Sequence, residues 1–240
     1  IHLFENTFQL NFFVSFTLIF LIGLFSDIKI FESARLRFLL QIMVLLYFVF
    51  VSDFTIPLSK INILDFFFSN YLFNKFFTIF CLMILINGNN FVDGLNTLLL
   101  GYHISLSLFL LFFFSTELHQ PDILLNYLII LLILLLFNIK GKIILGDSGS
   151  YALAFFIGIF LIDFARNNPY LSPFFIISLL WYPCFELLFS MIRRINIGKK
   201  TYNPDTNHLH QLLFSLIVKK IKKNEYYHIV VSLIINIYFI

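Results

Sequence analysis

Charged residues are scarce in this 240-residue sequence. Asp, Glu, Lys and Arg make up 12% of the chain, about half of the roughly 25% that is usual in soluble domains. A chain with so little charge cannot cover a water-facing surface, which excludes an ordinary soluble domain. The net charge of +3 is spread over several segments rather than concentrated in one module, so nucleic-acid binding is not indicated.

Cysteine is also scarce, and the first residues lack the pattern of a signal peptide. Cys81 and Cys184 fall in separate apolar runs, where a thiol usually behaves as a small buried hydrophobic group rather than as a bridge or a metal ligand. The chain begins with Ile1 and enters an apolar run by Phe8, without the basic start and the small-residue cleavage site of a signal peptide. We interpret this beginning as a truncated amino terminus.

Hydrophobic residues dominate the composition of the chain. They account for 60% of the chain, which has 35 phenylalanines, and they form runs of about 15 to 20 residues, long enough to cross a hydrocarbon core. In lipid the backbone groups must pair within each run, and no run alternates like a barrel strand, so each is predicted to be a helix. The sequence therefore predicts an all-α integral membrane protein, a single polytopic domain over residues 1–240 with about eight transmembrane helices. The predicted spans are 8–25, 38–55, 76–92, 97–115, 123–137, 149–164, 171–191 and 226–240.

Basic residues indicate which side of the membrane each connecting segment occupies. If the spans alternate in direction, the segments on one side are 26–37, 93–96, 138–148 and 192–225, and those on the other are 54–75, 116–122 and 165–170. Thirteen basic residues lie in the first group and three in the second, so the positive-inside rule places the first group in the cytoplasm. The end of the cytoplasmic loop 192–225 has apolar residues at helical spacing beside lysines, which predicts a helix in the membrane interface.

The cytoplasmic segments contain four polar clusters, and one of them, NGNNFVDGLN, closes the third span. Asn87, Asn90 and Asp93 recur there at every third residue, so a continuous helix would carry them on one flank, before Gly94. Polar groups this close to lipid are costly, which indicates a function. A helix end wetted by water, with Asp93 capping the next helix, would explain the same residues without one.

The cluster GDSGS begins the sixth span. Asp is a preferred N-cap, so Asp147 could simply cap this helix. Alternatively, the small residues let backbone amides and the positive helix end approach a phosphate, while Asp147 holds a metal ion on it. Because a carboxylate repels phosphate, several Asp residues beside Lys and Arg favour a diphosphate bridged by Mg²⁺.

The cluster NPDTNHLHQ follows the seventh span. On a helix, His208 and His210 would point about 200° apart and could not bind one metal ion together. In an extended or turning loop they could be phosphate ligands or a general acid and base, although such a pair can also be incidental. Glu186 is an intramembrane carboxylate seven residues before Arg193, which indicates a function, with a structural pair to a neighbouring basic residue as the alternative.

Together the clusters resemble the motifs of the polyprenyl-phosphate sugar-1-phosphate transferases, the MraY- and WecA-like enzymes of glycosyltransferase family four. GLFSDIKIFESARLRFLLQ resembles the family's G-x-x-D-D and R-x-x-x-Q elements, NGNNFVDG its N-x-x-N-x-x-D-G motif, ILGDSGS its F-x-G-D-x-G-S motif, and PDTNHLH its P-D-x-x-H-x-H loop. The matching residues are Gly23, Asp27, Arg37, Gln41, Asn87, Asn90, Asp93, Gly94, Gly146, Asp147, Gly149, Ser150, Arg193, Arg194, Pro204, Asp205, His208 and His210.

Three positions depart from the family pattern. Ser26 stands where the family usually has the first Asp, Asn96 replaces the second Asp of the D-G-x-D-G element, and Gln211 replaces the last His. A branch of the family shares the last two features, together with an E-x-x-F-S-x-x-R-R stretch like the one that starts at Glu186. Ser26 has no such parallel, because a hydroxyl cannot supply the negative charge of a carboxylate. The family's fold has more transmembrane helices than this chain, so the resemblance implies missing upstream spans.

The resemblance implies transfer of a sugar 1-phosphate, in the first instance N-acetylhexosamine 1-phosphate, from a UDP-sugar to undecaprenyl phosphate in cell-wall or surface-polysaccharide synthesis, with release of UMP. It implies Mg²⁺ as the cofactor, with Mn²⁺ as the alternative, held by Asp147 and with Asp93 as a further candidate ligand. The catalytic candidates are Asp27, Asp93, His208 and His210, and the substrate-binding candidates are Asn87, Asn90, Lys142, Arg193, Arg194 and Asp205. Expected partners are the polyprenyl phosphate lipid, the nucleotide sugar, the membrane and a second copy in a homodimer. The expected location is the inner (plasma) membrane of a bacterium, with the active site facing the cytoplasm.

Two other functions stay open from the residues alone. A transporter also carries polar residues in a membrane, but transport sites tend to lie near the bilayer midplane. These spans are apolar through their centres, with Glu186 as the main exception. A non-catalytic family member that binds lipid or nucleotide sugar is compatible with Ser26.

Overall fold

The computed structural model describes residues 2–196, 198, 208–220 and 227–239, and this part of the chain folds into eleven α-helices and no strand. The helices are α1 (His2–Asp27), α2 (Ala34–Val51), α3 (Asn62–Phe68), α4 (Tyr71–Val92), α5 (Leu98–Phe113), α6 (Pro121–Ile139), α7 (Gly146–Asn167), α8 (Pro173–Leu179), α9 (Trp181–Asn196), α10 (Leu209–Lys220) and α11 (Tyr227–Phe239). The prediction of an all-α protein is confirmed. The predicted helix in the 192–225 loop corresponds to α10.

The number of membrane-spanning helices is smaller than predicted. Among the described residues, five helices are long and apolar enough to cross a membrane, namely α1, α2, α4, α6 and α7, and α8 with α9 would make a sixth span bent by 76°. The two other predicted spans coincide with α5 and α11, which have 16 and 13 residues. At 1.5 Å per residue α11 is only about 20 Å long, less than the roughly 30 Å of a hydrocarbon core. The sequence overestimated the count because it counted apolar runs, whereas the helices described in two of these runs are shorter than 18 residues.

The outer surface of the helices is strongly apolar. More than fifty large hydrophobic side chains are exposed, Phe13 among them, and Phe112 and Ile237 are 80% and 81% exposed. A soluble monomer rarely exposes apolar surface on this scale, whereas lipid tails cover it favourably. The chain is therefore a multi-pass membrane protein.

Helix boundaries follow from local chemistry. The Ser33 hydroxyl accepts a hydrogen bond from the Leu36 backbone N–H at the start of α2, and the Ser172 hydroxyl accepts one from Phe174 at the start of α8. Pro121 and Pro173 begin α6 and α8, where a missing N–H costs nothing. The two serine hydroxyls thus satisfy backbone N–H groups that have no partner inside their own helix.

The chain divides into two compact units, and the first comprises residues 1–87 and 146–180. In this unit α1 packs against α2 and α7. Phe48 and Phe155 are fully buried, with their ring centroids 5.4 Å apart, and Phe12 lies 5.7 Å from Phe155. This aromatic core brings the end of α1 beside the beginning of α7, where the polar motifs of both helices are located.

The second unit comprises residues 88–145 and 181–240. Its helix α5 packs against α6 and α11, and α10 packs against α11. A buried hydrogen-bond chain joins three elements: His103 of α5 lies 2.7 Å from Asn89 Oδ1 at the end of α4, and 2.9 Å from the Tyr127 hydroxyl of α6. This polar chain, which the sequence did not reveal, holds the end of α4 against α5 and α6.

Candidate functional site

The first unit has a polar cluster where α1 ends and α7 begins. Asp27, the last residue of α1, accepts hydrogen bonds from the backbone N–H groups of Asp147 at 2.8 Å and Ser148 at 3.0 Å, and from the Ser148 hydroxyl at 2.7 Å. The Asp27 carboxylate thus caps α7 and faces the positive end of its dipole. Asp147 is the second residue of α7, and its backbone N–H is one of the groups that Asp27 caps. Two of the amides that the sequence assigned to a phosphate bind Asp27 instead.

The side chain of Asp147 is held by three other groups. Its Oδ2 accepts a hydrogen bond from the Ser26 hydroxyl at 2.6 Å, forms an ion pair with Arg37 Nη1 at 2.7 Å, and lies 3.4 Å from the Tyr151 hydroxyl. Arg37 Nη1 also donates to the Ser26 hydroxyl oxygen. Ser26 therefore joins the network as a hydrogen-bonding group, and one positive charge balances Asp147. We call Ser26, Asp27, Arg37, Asp147 and Ser148 the Asp147 cluster.

The R-x-x-x-Q element places two polar side chains one helical turn apart on α2. Arg37 contacts Asp147, and the fully buried Gln41 accepts a hydrogen bond from Asn87 Nδ2 at 3.0 Å. Asn87 Nδ2 also donates to the Met83 carbonyl at 2.9 Å. The α2 helix thus orients residues of both α4 and α7 within the first unit.

Gly146 is required for the contact between Asp27 and α7. Its φ is +64°, and a Cβ there would lie 2.7 Å from Asp27 Oδ1 and 2.8 Å from Oδ2. Gly146→Ala should therefore combine backbone strain of about 1–2 kcal/mol with loss of the cap, worth about 1–2 kcal/mol. We expect its thermal unfolding midpoint in detergent to fall clearly below that of the wild type.

Gly141→Ala is the matched control for this substitution. Gly141 has nearly the same φ of +63°, but no atom of the described residues lies within 4 Å of its Cβ position. Gly141→Ala should therefore be destabilised by backbone strain alone. If the unfolding midpoint fell equally in Gly146→Ala and Gly141→Ala, the contact with Asp27 would add nothing to stability.

The second unit has its own polar cluster, formed by α9 and the start of α10. His208 Nδ1 lies 3.1 Å from Glu186 Oε2, and Glu186 Oε1 accepts a hydrogen bond from the Leu209 backbone N–H at 2.9 Å. His208 precedes the first residue of α10, so the helical geometry that would separate the two histidines does not apply. The rings of His208 and His210 stack, with an interplanar angle of 4° and centroids 5.6 Å apart. We call Glu186, His208 and His210 the histidine cluster.

The end of α4 and the second half of α9 surround the histidine cluster. The Phe91 ring lies 4.9 Å from the His208 ring, and the buried Arg194 guanidinium lies 5.4 Å from the Phe91 ring. A Cβ on Gly94 would overlap His210 Nε2. The glycine of the N-x-x-N-x-x-D-G motif therefore allows the His210 imidazole to lie directly against the backbone.

His210 is fully buried, and neither of its ring nitrogens has a hydrogen-bond partner among the described residues. Burial, assisted by the neighbouring His208, lowers the pKa of His210 to about 4, although the Glu186 carboxylate acts in the opposite direction. An unfolded histidine has a pKa of about 6.5. His210 is therefore neutral in the folded protein near neutral pH.

This pKa shift predicts a pH dependence of stability. Because the unfolded chain binds a proton at His210 more readily than the folded protein, the stabilising contribution is present above about pH 6.5 and is lost as the pH falls through about 4. We expect the unfolding midpoint of the wild type to fall more steeply over this range than that of His210→Gln. His119→Gln, at an exposed histidine, should keep the wild-type slope. If the unfolding midpoints of the wild type and of His210→Gln fell equally with pH, the prediction would be contradicted.

The other predicted site residues differ in their surroundings. Asn90 and Asp93 are half-buried at the end of α4, Lys142 is exposed between α6 and α7, and Arg193 lies 5.8 Å from the Phe189 ring. Asp205 lies outside the described residues. Within the described part of the chain, no group of three or more His, Cys, Asp or Glu side chains is arranged to hold a metal ion. The structure thus brings Asp27 together with Asp147, and His208 together with His210.

Sequence reasoning missed two participants and the partner of a third. Ser148 and Tyr151 contact the two carboxylates of the Asp147 cluster, and Glu186 binds a histidine rather than one of the basic residues proposed as its partner. Tyr151 follows Asp147 by four residues, a spacing that places both on one helix face and could have been noticed. The partner of Glu186 had no such local signal, since His208 is 22 residues away.

Comparison with known proteins supports the motif assignment. The decaprenyl-phosphate N-acetylglucosaminephosphotransferase of Mycobacterium leprae (strain TN) is 28% identical over an alignment of 155 residues. The alignment covers 55% of this chain and 39% of that protein. The undecaprenyl-phosphate alpha-N-acetylglucosaminyl 1-phosphate transferases of Salmonella typhi and Escherichia coli (strain K12) are each 28% identical over 149 residues, 59% of this chain and 41% of theirs. The chain spans about two fifths of the length of these curated relatives.

The family profile called Glycosyl transferase family 4 matches residues 10–165. This range is more than half of the chain, and it contains the first three motif clusters, including Asp27, Asp93 and Asp147. The chain therefore belongs to glycosyl transferase family 4.

Proposed function

We propose that this protein is a sugar-1-phosphate transferase, which moves N-acetylhexosamine 1-phosphate from a UDP-sugar to undecaprenyl phosphate and releases UMP. Membership of glycosyl transferase family 4 supports this function, as do the names of relatives that describe N-acetylglucosamine phosphate transfer to polyprenyl phosphates. A lipid acceptor also suits a multi-pass membrane protein, because its long tail can remain in hydrocarbon while its phosphate reacts at the surface.

The observation that carries the proposal is the Asp147 cluster. Two carboxylates from distant parts of the sequence lie together at the ends of apolar helices, and each is held by several hydrogen bonds. Phosphoryl transfer depends mainly on positioning and on neutralisation of charge, so fixed charged groups of this kind are the expected machinery. Asp27 fixes the beginning of α7, and Arg37 fixes the orientation of Asp147.

The oxygen donors of the Asp147 cluster fit a magnesium ion. Carboxylate and hydroxyl oxygens are the hard ligands that Mg²⁺ prefers, and Asp27, Asp147, Ser26 and Ser148 supply them within one network. We propose that Asp147 holds Mg²⁺, with Mn²⁺ as the alternative ion. When bound, the ion would neutralise charge on the diphosphate.

The histidine cluster supplies groups suited to phosphate oxygens. The neutral His210 imidazole has two ring nitrogens without partners among the described residues, so it can both donate and accept a hydrogen bond. His208 and Arg194 add a second imidazole and a permanent positive charge in the same unit. We propose that these side chains bind and orient the phosphates of the substrates, with Asn87, Asn90, Lys142, Arg193 and Asp205 as additional substrate-binding residues.

We also propose that both clusters face the cytoplasm. The segments that flank them hold most of the basic residues of the chain, which is the pattern of cytoplasmic loops. UDP-sugars are cytoplasmic metabolites, so this side gives access to the donor. The expected location is the bacterial inner membrane.

The proposal is tested with the full-length protein in detergent. UMP release is measured for a panel of UDP-N-acetylhexosamines, with and without undecaprenyl phosphate and with and without Mg²⁺. We expect release from at least one donor only when the lipid phosphate and Mg²⁺ are both present. Absence of release across the panel, with binding of UDP-sugar retained, would instead indicate a non-catalytic family member.

A further inference from the structure

Glu186 binds the histidine cluster through both of its carboxylate oxygens. Oε2 lies 3.1 Å from His208 Nδ1, and Oε1 accepts the backbone N–H of Leu209 at 2.9 Å. The Glu186 and His208 side chains are only 5% and 4% exposed. One carboxylate therefore holds both the imidazole of His208 and the backbone at the start of α10.

Packing alone does not explain a carboxylate at this position. A buried carboxylate recovers through its hydrogen bonds about what it loses in desolvation, and apolar residues of similar size often give equal or greater stability. A carboxylate on an apolar helix is accordingly rare unless it has a function. The benefit of Glu186 must then lie in the orientation that it imposes on its partners.

The contact determines which ring nitrogen of His208 is available. Because Glu186 can only accept, His208 Nδ1 must carry the proton of their hydrogen bond, which leaves Nε2 as the nitrogen that faces other groups. The second contact, to the Leu209 N–H, prevents this part of the chain from rotating away. The Phe91 ring and the parallel His210 ring restrict the imidazole further.

We propose that Glu186 is a positioning residue of the transferase, which fixes the tautomer and the orientation of His208 so that Nε2 is presented to a substrate phosphate. This inference rests on the proposed function and extends it to a residue that was not among the predicted catalytic, substrate-binding or metal-binding residues. Glu186 acts through His208 and need not touch a substrate itself.

A double-mutant cycle in the full-length protein tests the proposal. Glu186→Gln can accept only one of the two hydrogen bonds, so we expect kcat to fall about 10- to 100-fold, while KM for the UDP-sugar changes by less than about threefold. His208→Ala should reduce kcat at least as much. The variant with both substitutions should be no slower than His208→Ala, because Glu186 then has no imidazole left to orient. Glu117→Gln, at a half-buried carboxylate in the same unit, should retain the wild-type kcat.

Two kinetic outcomes would overturn the proposal. In the first, Glu186→Gln or His208→Ala keeps the wild-type kcat. In the second, Glu186→Gln slows the His208→Ala enzyme by its full factor, which would show that Glu186 acts through the Leu209 contact alone. If Glu186→Gln does not fold, as judged by size-exclusion chromatography, Glu186→Asp replaces it, and we expect an intermediate loss of kcat.

A second measurement does not depend on activity. Nitrogen-15 NMR of histidine-labelled protein reports which ring nitrogen carries the proton, and the His208 signal is identified by its loss in His208→Ala. We expect a protonated Nδ1 in the wild type and a mixture of tautomers in Glu186→Gln. An unchanged tautomer would overturn the inference, whereas failure of UMP release in the wild type would overturn only the proposed function.

Discussion

Asp147→Asn should reduce UMP release by at least about a thousandfold, while the protein remains inserted in the membrane. The substitution removes the negative charge that pairs with Arg37 at 2.7 Å and that is proposed to hold Mg²⁺. Asparagine has nearly the same size, and the Asp147 backbone N–H that binds Asp27 is unaffected. The fold of α7 should therefore survive, and the loss should appear in kcat, measured as UMP release at saturating substrates.

Asp163→Asn is the matched control for this change. Asp163 lies on the same helix, and its contact with Asn167 is at the opposite end from the Asp147 cluster. We expect its rate to stay within about twofold of the wild type, since the half-buried Asp163 lies far along α7 from the Asp147 cluster. An Asp147→Asn variant that retained most of its activity would remove Asp147 from the metal-binding role.

Gly94→Ala should lower kcat by about a hundredfold. The added methyl group would occupy the position of His210 Nε2, so the imidazole would have to move. Because His210 is fully buried and stacked on His208, it cannot move without disturbing its neighbour. A displacement of about 1 Å in a catalytic group is enough for a loss of this size. The measurement is kcat for UMP release, with folding checked by thermal unfolding.

Gly101→Ala separates this specific effect from simple overpacking. Gly101 lies on α5 in the same unit, and its added Cβ would overlap the Asn236 side chain of α11. This variant should lose stability, typically about 1–3 kcal/mol for an overpacked site, and keep a kcat within about threefold of the wild type. An equal loss of kcat in both variants would mean that overpacking, rather than displacement of His210, explains the Gly94 result.

Much of the architecture followed from composition. Long apolar runs in a chain with little charge can only be membrane helices, because backbone groups in lipid must pair within their own segment. Every predicted span therefore coincides with a helix, although five or six rather than eight are long enough to cross. The four polar clusters likewise identified the family, because their order along the chain is a property of the sequence itself.

The contacts of the site depended on the tertiary structure. Asp27 and Asp147 are 120 positions apart, and no local pattern indicates that one caps the helix of the other. The same holds for Glu186 and His208, and for Gly94 and His210. The two histidines appeared unable to cooperate on a helix, yet α10 begins one residue after His208, so their rings stack.

The sequence by itself thus determined the membrane environment, the helical class and the family, while the tertiary structure decided which side chains meet. The physical reason is the range of the interactions. Hydropathy and backbone hydrogen bonding act within one helix and are visible in any window of residues. Caps and ion pairs between helices depend on packing around cores such as that of Phe48 and Phe155, which places residues from distant parts of the chain side by side.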